Sequence, residues 1–252
     1  MAKSESPKGM PGNSQMTASF SGAVDVSRSR HVSMATKATH LLKQGQLEPA
    51  RKLFTEILSE NEDDVFAMHG IALVARDMGR LPTSVELMKK ALALDPRNPM
   101  ISSNLGTIHE AMKEYEEALT CYRNSLKWGI RDAAIHNNIG SVLSKLGRRT
   151  EALIAFRKAL KAGVEFPEAM TNMATMLGDL GDFKQADYYF RRALELDPEN
   201  PHAHHNLGFM MLRQGLWEEA WFHCEWRMVA TNKGVPWRKF PQPLWNGNPF
   251  QG

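Results

Sequence analysis

The chain has 252 residues, of which 42% are hydrophobic and 23% are charged, and its net charge is only +3. These values are ordinary for a soluble protein, and the small charge without a Lys/Arg-rich run argues against nucleic acid as a partner. No apolar stretch approaches the roughly 18 residues of a membrane span, and the N-terminus lacks the apolar core of a secretory signal. We therefore expect a cytoplasmic protein.

The first 30 residues are rich in Ser, Gly, Pro, Lys and Met and show no helical periodicity. Such a composition buries too little apolar area to offset the entropy of ordering the chain. We predict a disordered N-terminal tail over 1–30, acting as a flexible segment or, alternatively, as a partner-binding one.

A period of 34 residues dominates the rest of the chain. A glycine recurs five residues before a small residue, which is followed four residues later by a bulky apolar or sulfur residue. The sets are Gly79/Ser84/Met88, Gly147/Ala152/Phe156, Gly181/Ala186/Phe190 and Gly215/Ala220/Cys224, with Gly45 and, in place of glycine, Lys113 at the matching positions of two further copies. A period of this length predicts stacked repeats. We place six of them at 31–64, 65–98, 99–132, 133–166, 167–200 and 201–234.

Each repeat divides into two amphipathic helical patterns, here called helix A and helix B. In the fourth repeat Ile139, Leu143 and Leu146 mark the buried face of helix A. Gly147 then ends that helix, because glycine adopts the left-handed conformation that follows a helix C-terminus. Asp95-Pro96 and Asp197-Pro198 separate neighbouring repeats, since proline is disfavoured inside a helix.

These repeats resemble the tetratricopeptide repeat, a helix–turn–helix of 34 residues. The resemblance is carried in helix A by Leu105-Gly106, Ile139-Gly140 and Leu207-Gly208, and in helix B by Ala118/Tyr122, Ala152/Phe156 and Ala186/Phe190. It implies an all-α fold, a right-handed α-solenoid of about six repeats. It also implies that the A helices line a concave surface on which ligands bind.

An asparagine ladder is the main candidate binding site on that surface. It comprises Asn104, Asn138, Asn172 and Asn206, each two residues before the small residue of helix A. An amide offers donors and an acceptor, so it can pair with the backbone of an extended peptide, although it can also bond within its own repeat. We expect six polar neighbours to face the same way: Ser103, Thr107, Asn137, Ser141, Thr171 and Thr175. The predicted groove is neutral and polar and lacks clustered Lys and Arg.

Other residue clusters suggest packing rather than chemistry. His202, His204 and His205 lack a further ligand at metal spacing, and Trp217, Trp221 and Trp226 have the helical spacing of a buried core, with an interface role as the alternative. The cysteines Cys121 and Cys224 fall at helix-packing positions. No phosphate loop, metalloprotease or nucleophile motif is present, so we expect no catalytic residue, metal or cofactor.

The C-terminal residues carry a second resemblance. Gly215–Ala220 with Trp221, then Glu225-Trp226-Arg227, then Phe240–Gly247 are similar to a bacterial junction between tetratricopeptide repeats and a protein O-GlcNAc transferase-like or flagellin glycosyltransferase domain. Ala220 departs from the glycine usual there. The resemblance implies that 235–252 is a Pro/Trp-rich extension or a linker to a missing catalytic domain.

Taken together, the sequence favours a non-catalytic interaction module that binds an extended peptide or a helix of a partner protein. Its sharpest version is the acceptor-recognition part of a glycosyltransferase, with flagellin or another glycosylated protein as the partner. The alternative is a scaffold protein that assembles with copies of itself.

Overall fold

The computed structural model describes residues 30–130, 132–162 and 165–226, and these residues form twelve α-helices and no strand. In chain order the helices are α1 (30–43), α2 (Leu47–Glu60), α3 (Val65–Asp77), α4 (Leu81–Leu94), α5 (Pro99–Ala111), α6 (Tyr115–Lys127), α7 (Ala133–Lys145), α8 (Arg149–Lys161), α9 (Pro167–Asp179), α10 (Phe183–Leu196), α11 (Pro201–Arg213) and α12 (Trp217–Cys224). The predicted all-α repeat fold is confirmed. The predictions for the tail before residue 30 and for the extension 235–252 lie outside the described residues.

The chain divides into two compact units, with the boundary inside α5 between Ile101 and Ser102. The first unit contains α1 to α4. The second contains the rest of α5 and the helices α6 to α12. In the second unit the odd-numbered helices are the predicted A helices and the even-numbered ones are the B helices.

The small and bulky residues of the 34-residue pattern form the cores of both units. In the first unit Ala50 and Phe54 are buried, and in the second unit the same pairing recurs as Ala118/Tyr122, Ala152/Phe156 and Ala186/Phe190. The three rings of the second unit are each at most 2% exposed. A buried side chain of this size contributes about 1.5–3 kcal/mol. The repeated pattern therefore supplies much of the core.

Close packing of helix A on helix B depends on a missing side chain at Gly140. A Cβ atom at this position of α7 would lie 2.5 Å from Cε1 of Phe156 on α8. Gly106 stands in the same relation to Tyr122, at 2.8 Å. Leu105-Gly106 and Ile139-Gly140 thus mark points where a helix backbone packs directly against an aromatic ring, whereas Gly208 packs against the backbone of α12, with Cys224 N 2.9 Å from where its Cβ would lie.

The turn between helix A and helix B needs one left-handed residue. Gly147 has φ +75°, and the following Arg148 N–H donates to the Leu143 carbonyl at 2.9 Å. Lys113 occupies the matching position with φ 62°, and the Glu114 N–H makes the same bond to the His109 carbonyl, also at 2.9 Å. The turn is therefore retained where lysine replaces glycine, at the steric cost of a left-handed non-glycine residue.

Two helix starts share one capping arrangement. The Asn200 side-chain oxygen accepts from the Ala203 N–H at 2.9 Å, and its amide donates to Asp197 at 3.0 Å. Asn98 repeats this with the Ile101 N–H and with Asp95. Such a cap is worth about 1 kcal/mol. The Asp-Pro pairs thus belong to four-residue connections, 95–98 and 197–200, in which the asparagine caps the start of the next helix.

Candidate functional site

The ten predicted site residues all lie in the second unit, on the surface formed by α5, α7, α9 and α11. We call this surface the A-helix face. Thr107 is exposed, and seven of the ten are half-buried: Ser103, Asn104, Asn138, Ser141, Asn172, Thr175 and Asn206. Asn137 and Thr171 are only 8% and 4% exposed. Both side chains therefore offer little surface to a ligand, and Asn137 is in contact with α9 through its bond to Asn172.

The half-buried amides connect neighbouring A helices. Asn172 on α9 donates to the buried Asn137 side chain on α7 at 3.0 Å. Asn206 on α11 donates to the Thr175 hydroxyl on α9 at 3.0 Å, and that hydroxyl donates to the Thr171 carbonyl. Each bond uses one of the two N–H groups of its amide. These bonds therefore hold the Asn172 and Asn206 amides in place, while the second N–H group and the carbonyl oxygen of each amide retain bonding capacity.

A charged cluster that the sequence reading missed lies beside Asn138. The Glu110 carboxylate, whose side chain is 19% exposed, accepts from the Lys145 ammonium at 2.8 Å and from the Tyr122 hydroxyl at 2.9 Å. Ser141 adds a weaker contact at 3.5 Å, and Asn138 also bonds to the Tyr122 hydroxyl. Burial raises the pKa of the Tyr122 phenol well above its usual value, and the Glu110 charge adds to this.

This cluster places a pair of opposite charges on the A-helix face beside its neutral polar residues. Glu110 and Lys145 are 35 residues apart, one more than the period, so they come from adjacent repeats. That spacing is the signal that the sequence offers for this pair.

A small hollow opens where α9 and α11 meet. It encloses about 300 Å³ of space open to solvent and is lined in part by Thr175, Asn206, Phe209 and Arg213. Phe209 is 59% exposed. The Arg213 guanidinium is 3.6 Å from the Asp179 carboxylate. This end of the A-helix face thus combines an apolar ring, an amide and a paired charge.

The histidines of α11 have separate roles. His204 is buried, and its Nε2 must carry a proton because it faces the Pro198 carbonyl at 2.9 Å. Its Nδ1 lies 2.7 Å from Nδ1 of His223, so one of these two nitrogens donates to the other, and Trp226 stacks on the His204 ring at 4.5 Å. Burial, followed by the neighbouring His204, lowers the pKa of His223. Among the described residues no group of three or more His, Cys, Asp or Glu side chains is placed to hold a metal.

Two of the three tryptophans depart from the predicted core packing. Trp217 and Trp221 are 59% and 45% exposed, because α12 uses Ala220 and Cys224 as its buried face.

Of the cysteines, Cys224 is buried as expected and Cys121 is half-buried.

Family models of the tetratricopeptide repeat match this arrangement of helix pairs. One matches residues 98–163 and 131–199, a second matches 36–99 and a third matches 189–222. The matches extend together over well more than half of the chain. The chain belongs to the tetratricopeptide repeat family. Tetratricopeptide repeats are protein–protein interaction modules and are generally non-enzymatic scaffolds.

Relatives of this tetratricopeptide repeat protein are similar over part of their length. Hsp70-Hsp90 organizing protein 1 of Glycine max is 32% identical over 91 residues, which is 36% of this chain and 16% of that protein. The chain thus spans about a sixth of the length of that curated relative.

Solved structures share the fold at low identity. YrrB, described as a TPR protein with an unusual peptide-binding site, is 22% identical with a TM-score of 0.56, covering 72% of this chain and 93% of YrrB. PilF of Pseudomonas aeruginosa is 19% identical with a TM-score of 0.70, covering 80% of this chain and 92% of PilF. None of the helices that the structure describes is long and apolar enough to cross a membrane.

Proposed function

We propose that the A-helix face of the second unit binds an extended segment of a partner protein through the amides of Asn138, Asn172 and Asn206. The observation that carries this proposal is the way the Asn172 and Asn206 amides are held by Asn137 and Thr175 while keeping donor and acceptor capacity. Groups that are already fixed lose little entropy when a ligand binds. An extended backbone offers N–H and C=O groups that match such amides.

The flanking groups add side-chain selectivity. The Phe209 ring and the hollow beside Asn206 suit one apolar side chain of the ligand. The Glu110–Lys145 pair and the Arg213–Asp179 pair are each internally neutralised, so the face has little need of a strongly charged ligand. We therefore expect a largely uncharged segment containing Ser, Thr or small apolar residues.

The named relatives support a peptide-binding role without defining the ligand. The description of YrrB includes a peptide-binding site, and the Glycine max relative is named as an organizing protein for Hsp70 and Hsp90. The finer proposal is that the bound segment belongs to an acceptor protein presented for glycosylation, flagellin being one such protein. It rests on the junction resemblance, of which only the residues up to Trp226 lie in the described part of the chain.

The experiment compares affinity capture from source-cell lysate by residues 31–252 with capture by the Asn138→Ala/Asn172→Ala variant. The affinity of each captured protein for both forms of the chain is then measured at a temperature below the melting temperature of either form. Two lost hydrogen bonds of about 1 kcal/mol each weaken binding about thirtyfold. Asn124→Ala is the matched control, because Asn124 is exposed on the B helix α6. Unchanged affinity in the double variant would refute the role of the ladder.

The exposed aromatic residues of α12 favour self-assembly as the second candidate function. Trp217, Trp221 and Phe222 are 59%, 45% and 63% exposed. Large exposed aromatic side chains are typical of interfaces. Light scattering at micromolar concentration separates the two functions, since a monomer contradicts the scaffold and a concentration-dependent oligomer that Trp217→Ser disrupts supports it.

A further inference from the structure

A second surface of the same unit lies between the B helices α6 and α8, with α7 as its floor. We call it the B-helix groove. Two adjoining hollows form it, enclosing about 630 and 820 Å³ of space open to solvent, and both are lined by Leu126, His136 and Lys158. It shares no residue with the ten predicted site residues of the A-helix face.

The groove has an apolar interior. Leu126 of α6, Ile139 and Leu143 of α7, and Ile154 of α8 line it; Ile139 and Leu143 are buried at its base, so Ile154 and the half-buried Leu126 supply its accessible apolar surface. Ile154 is 48% exposed, whereas exposed neighbours on the same helix, such as Arg157 and Lys158, are charged. Exposed aliphatic surface inside a cleft gains free energy when a partner covers it. The interior therefore suits the apolar side of a peptide.

The rim of the groove is positively charged. Arg123 stands on the α6 side, and Lys158 and Lys161 stand on the α8 side. Within the described residues neither lysine has a carboxylate within ion-pair distance. Glu151 is the one carboxylate among the residues that line the two hollows; it is bound by Arg148 at 2.7 Å and lies 3.8 Å from the Arg123 guanidinium.

The last titratable group in the lining is His136. Burial, followed by the nearby Lys158 charge, lowers the pKa of its imidazole, so the ring is neutral at pH 7. The groove therefore has an uncharged interior and a rim of net positive charge, with Lys158 and Lys161 on the α8 side and an Arg123–Glu151 pair between α6 and α8. Charge complementarity then defines the occupant as an acidic one.

We propose that the B-helix groove binds an acidic amphipathic segment of a partner protein, with Leu, Ile or Phe in the hollows and Asp or Glu against Lys158 and Lys161. Both lysines are on the α8 side, so the carboxylates lie along one flank of the apolar stripe, while Arg123 on the α6 side contacts Glu151. A simple polyanion fits less well, because it leaves the aliphatic interior uncovered. The tetratricopeptide chain thus has two independent peptide sites, one on each type of helix.

The test selects binders from a displayed library of random 15-residue peptides against the whole chain. We expect enriched peptides to combine Asp or Glu with Leu, Ile or Phe. The best of them, labelled for fluorescence anisotropy, should bind about tenfold or more weakly to Lys158→Glu/Lys161→Glu. Ile154→Ser should also weaken it, because the apolar contact is lost.

A control variant with the same change in net charge tests whether the loss of peptide binding is specific to the groove. Arg157→Glu/Lys184→Glu makes the same change in net charge at exposed positions that do not line the groove, and it should leave the affinity unchanged. Circular dichroism confirms that each variant is folded. The proposal is overturned if the two double variants weaken binding equally or if selection yields no acidic–apolar peptide. It is also overturned if a single-stranded oligonucleotide binds the groove more tightly than the peptides, or if Asn138→Ala/Asn172→Ala alone abolishes binding.

Discussion

Gly140→Ala tests whether packing of helix A on helix B, rather than helix propensity, decides stability. In an exposed helix this change is favourable by about 0.5–1 kcal/mol, because glycine loses more backbone entropy on folding than alanine. Here the added Cβ would lie 2.5 and 2.6 Å from the Phe156 ring atoms Cε1 and Cδ1. That ring is 2% exposed and packed within the core, so it can move away only by displacing its neighbours.

The expected magnitude follows from these opposing effects. Overpacking a core costs about 1–3 kcal/mol, which exceeds the propensity gain. We expect Gly140→Ala to lower the free energy of unfolding by about 1–2 kcal/mol and the melting temperature by a few degrees. Gly178→Ala is the matched control, because its nearest neighbour is the flexible Met210 sulfur at 3.6 Å. That control should be neutral or stabilising by up to about 1 kcal/mol.

Urea denaturation followed by circular dichroism measures both variants. The double variant Gly140→Ala/Phe156→Leu should lose less stability than the sum of its single changes, since the smaller side chain relieves the clash. The reasoning is refuted if Gly140→Ala stabilises the protein as much as Gly178→Ala does. It is also refuted if the two changes at the contact are simply additive.

Two further predictions concern the turns and three half-buried histidines. Lys113→Gly should stabilise the protein by about 0.5–1 kcal/mol, because it removes the strain of a lysine in the left-handed conformation. Gly147→Val should destabilise it by more than 1 kcal/mol, because valine is strained in that conformation. Urea denaturation measures both changes, and equal effects of the same sign would contradict the turn assignment. The pKa values of His69, His136 and His223 lie below 6.5, chiefly because of burial, so the unfolded chain binds more protons and stability should fall as the pH drops below about 6.5. His69→Gln should make this loss smaller between pH 7.5 and 5.5, and an unchanged loss would show that His69 does not contribute.

The sequence by itself determined the helix pairs, because the features that define them are local. A turn residue, a small residue five positions later and a ring four positions beyond fix one helix–turn–helix whatever its neighbours do. Even Lys113, an unusual residue for its turn, could be assigned from its place in the period. The amides of the A-helix face could be found in the same way, since helix A has a regular face.

Only the tertiary structure decided what those side chains contact. Asn137 and Asn138 are adjacent in sequence, yet one is buried between A helices and the other is half-buried beside Tyr122. Glu110 meets Lys145 because side chains of adjacent repeats extend toward each other across the boundary between them. Likewise the B-helix groove depends on how α6 and α8 are placed on either side of α7, which its lining residues on all three helices show. Helical periodicity gives the direction of a side chain from its own helix, whereas burial and pairing depend on how the neighbouring helix is placed.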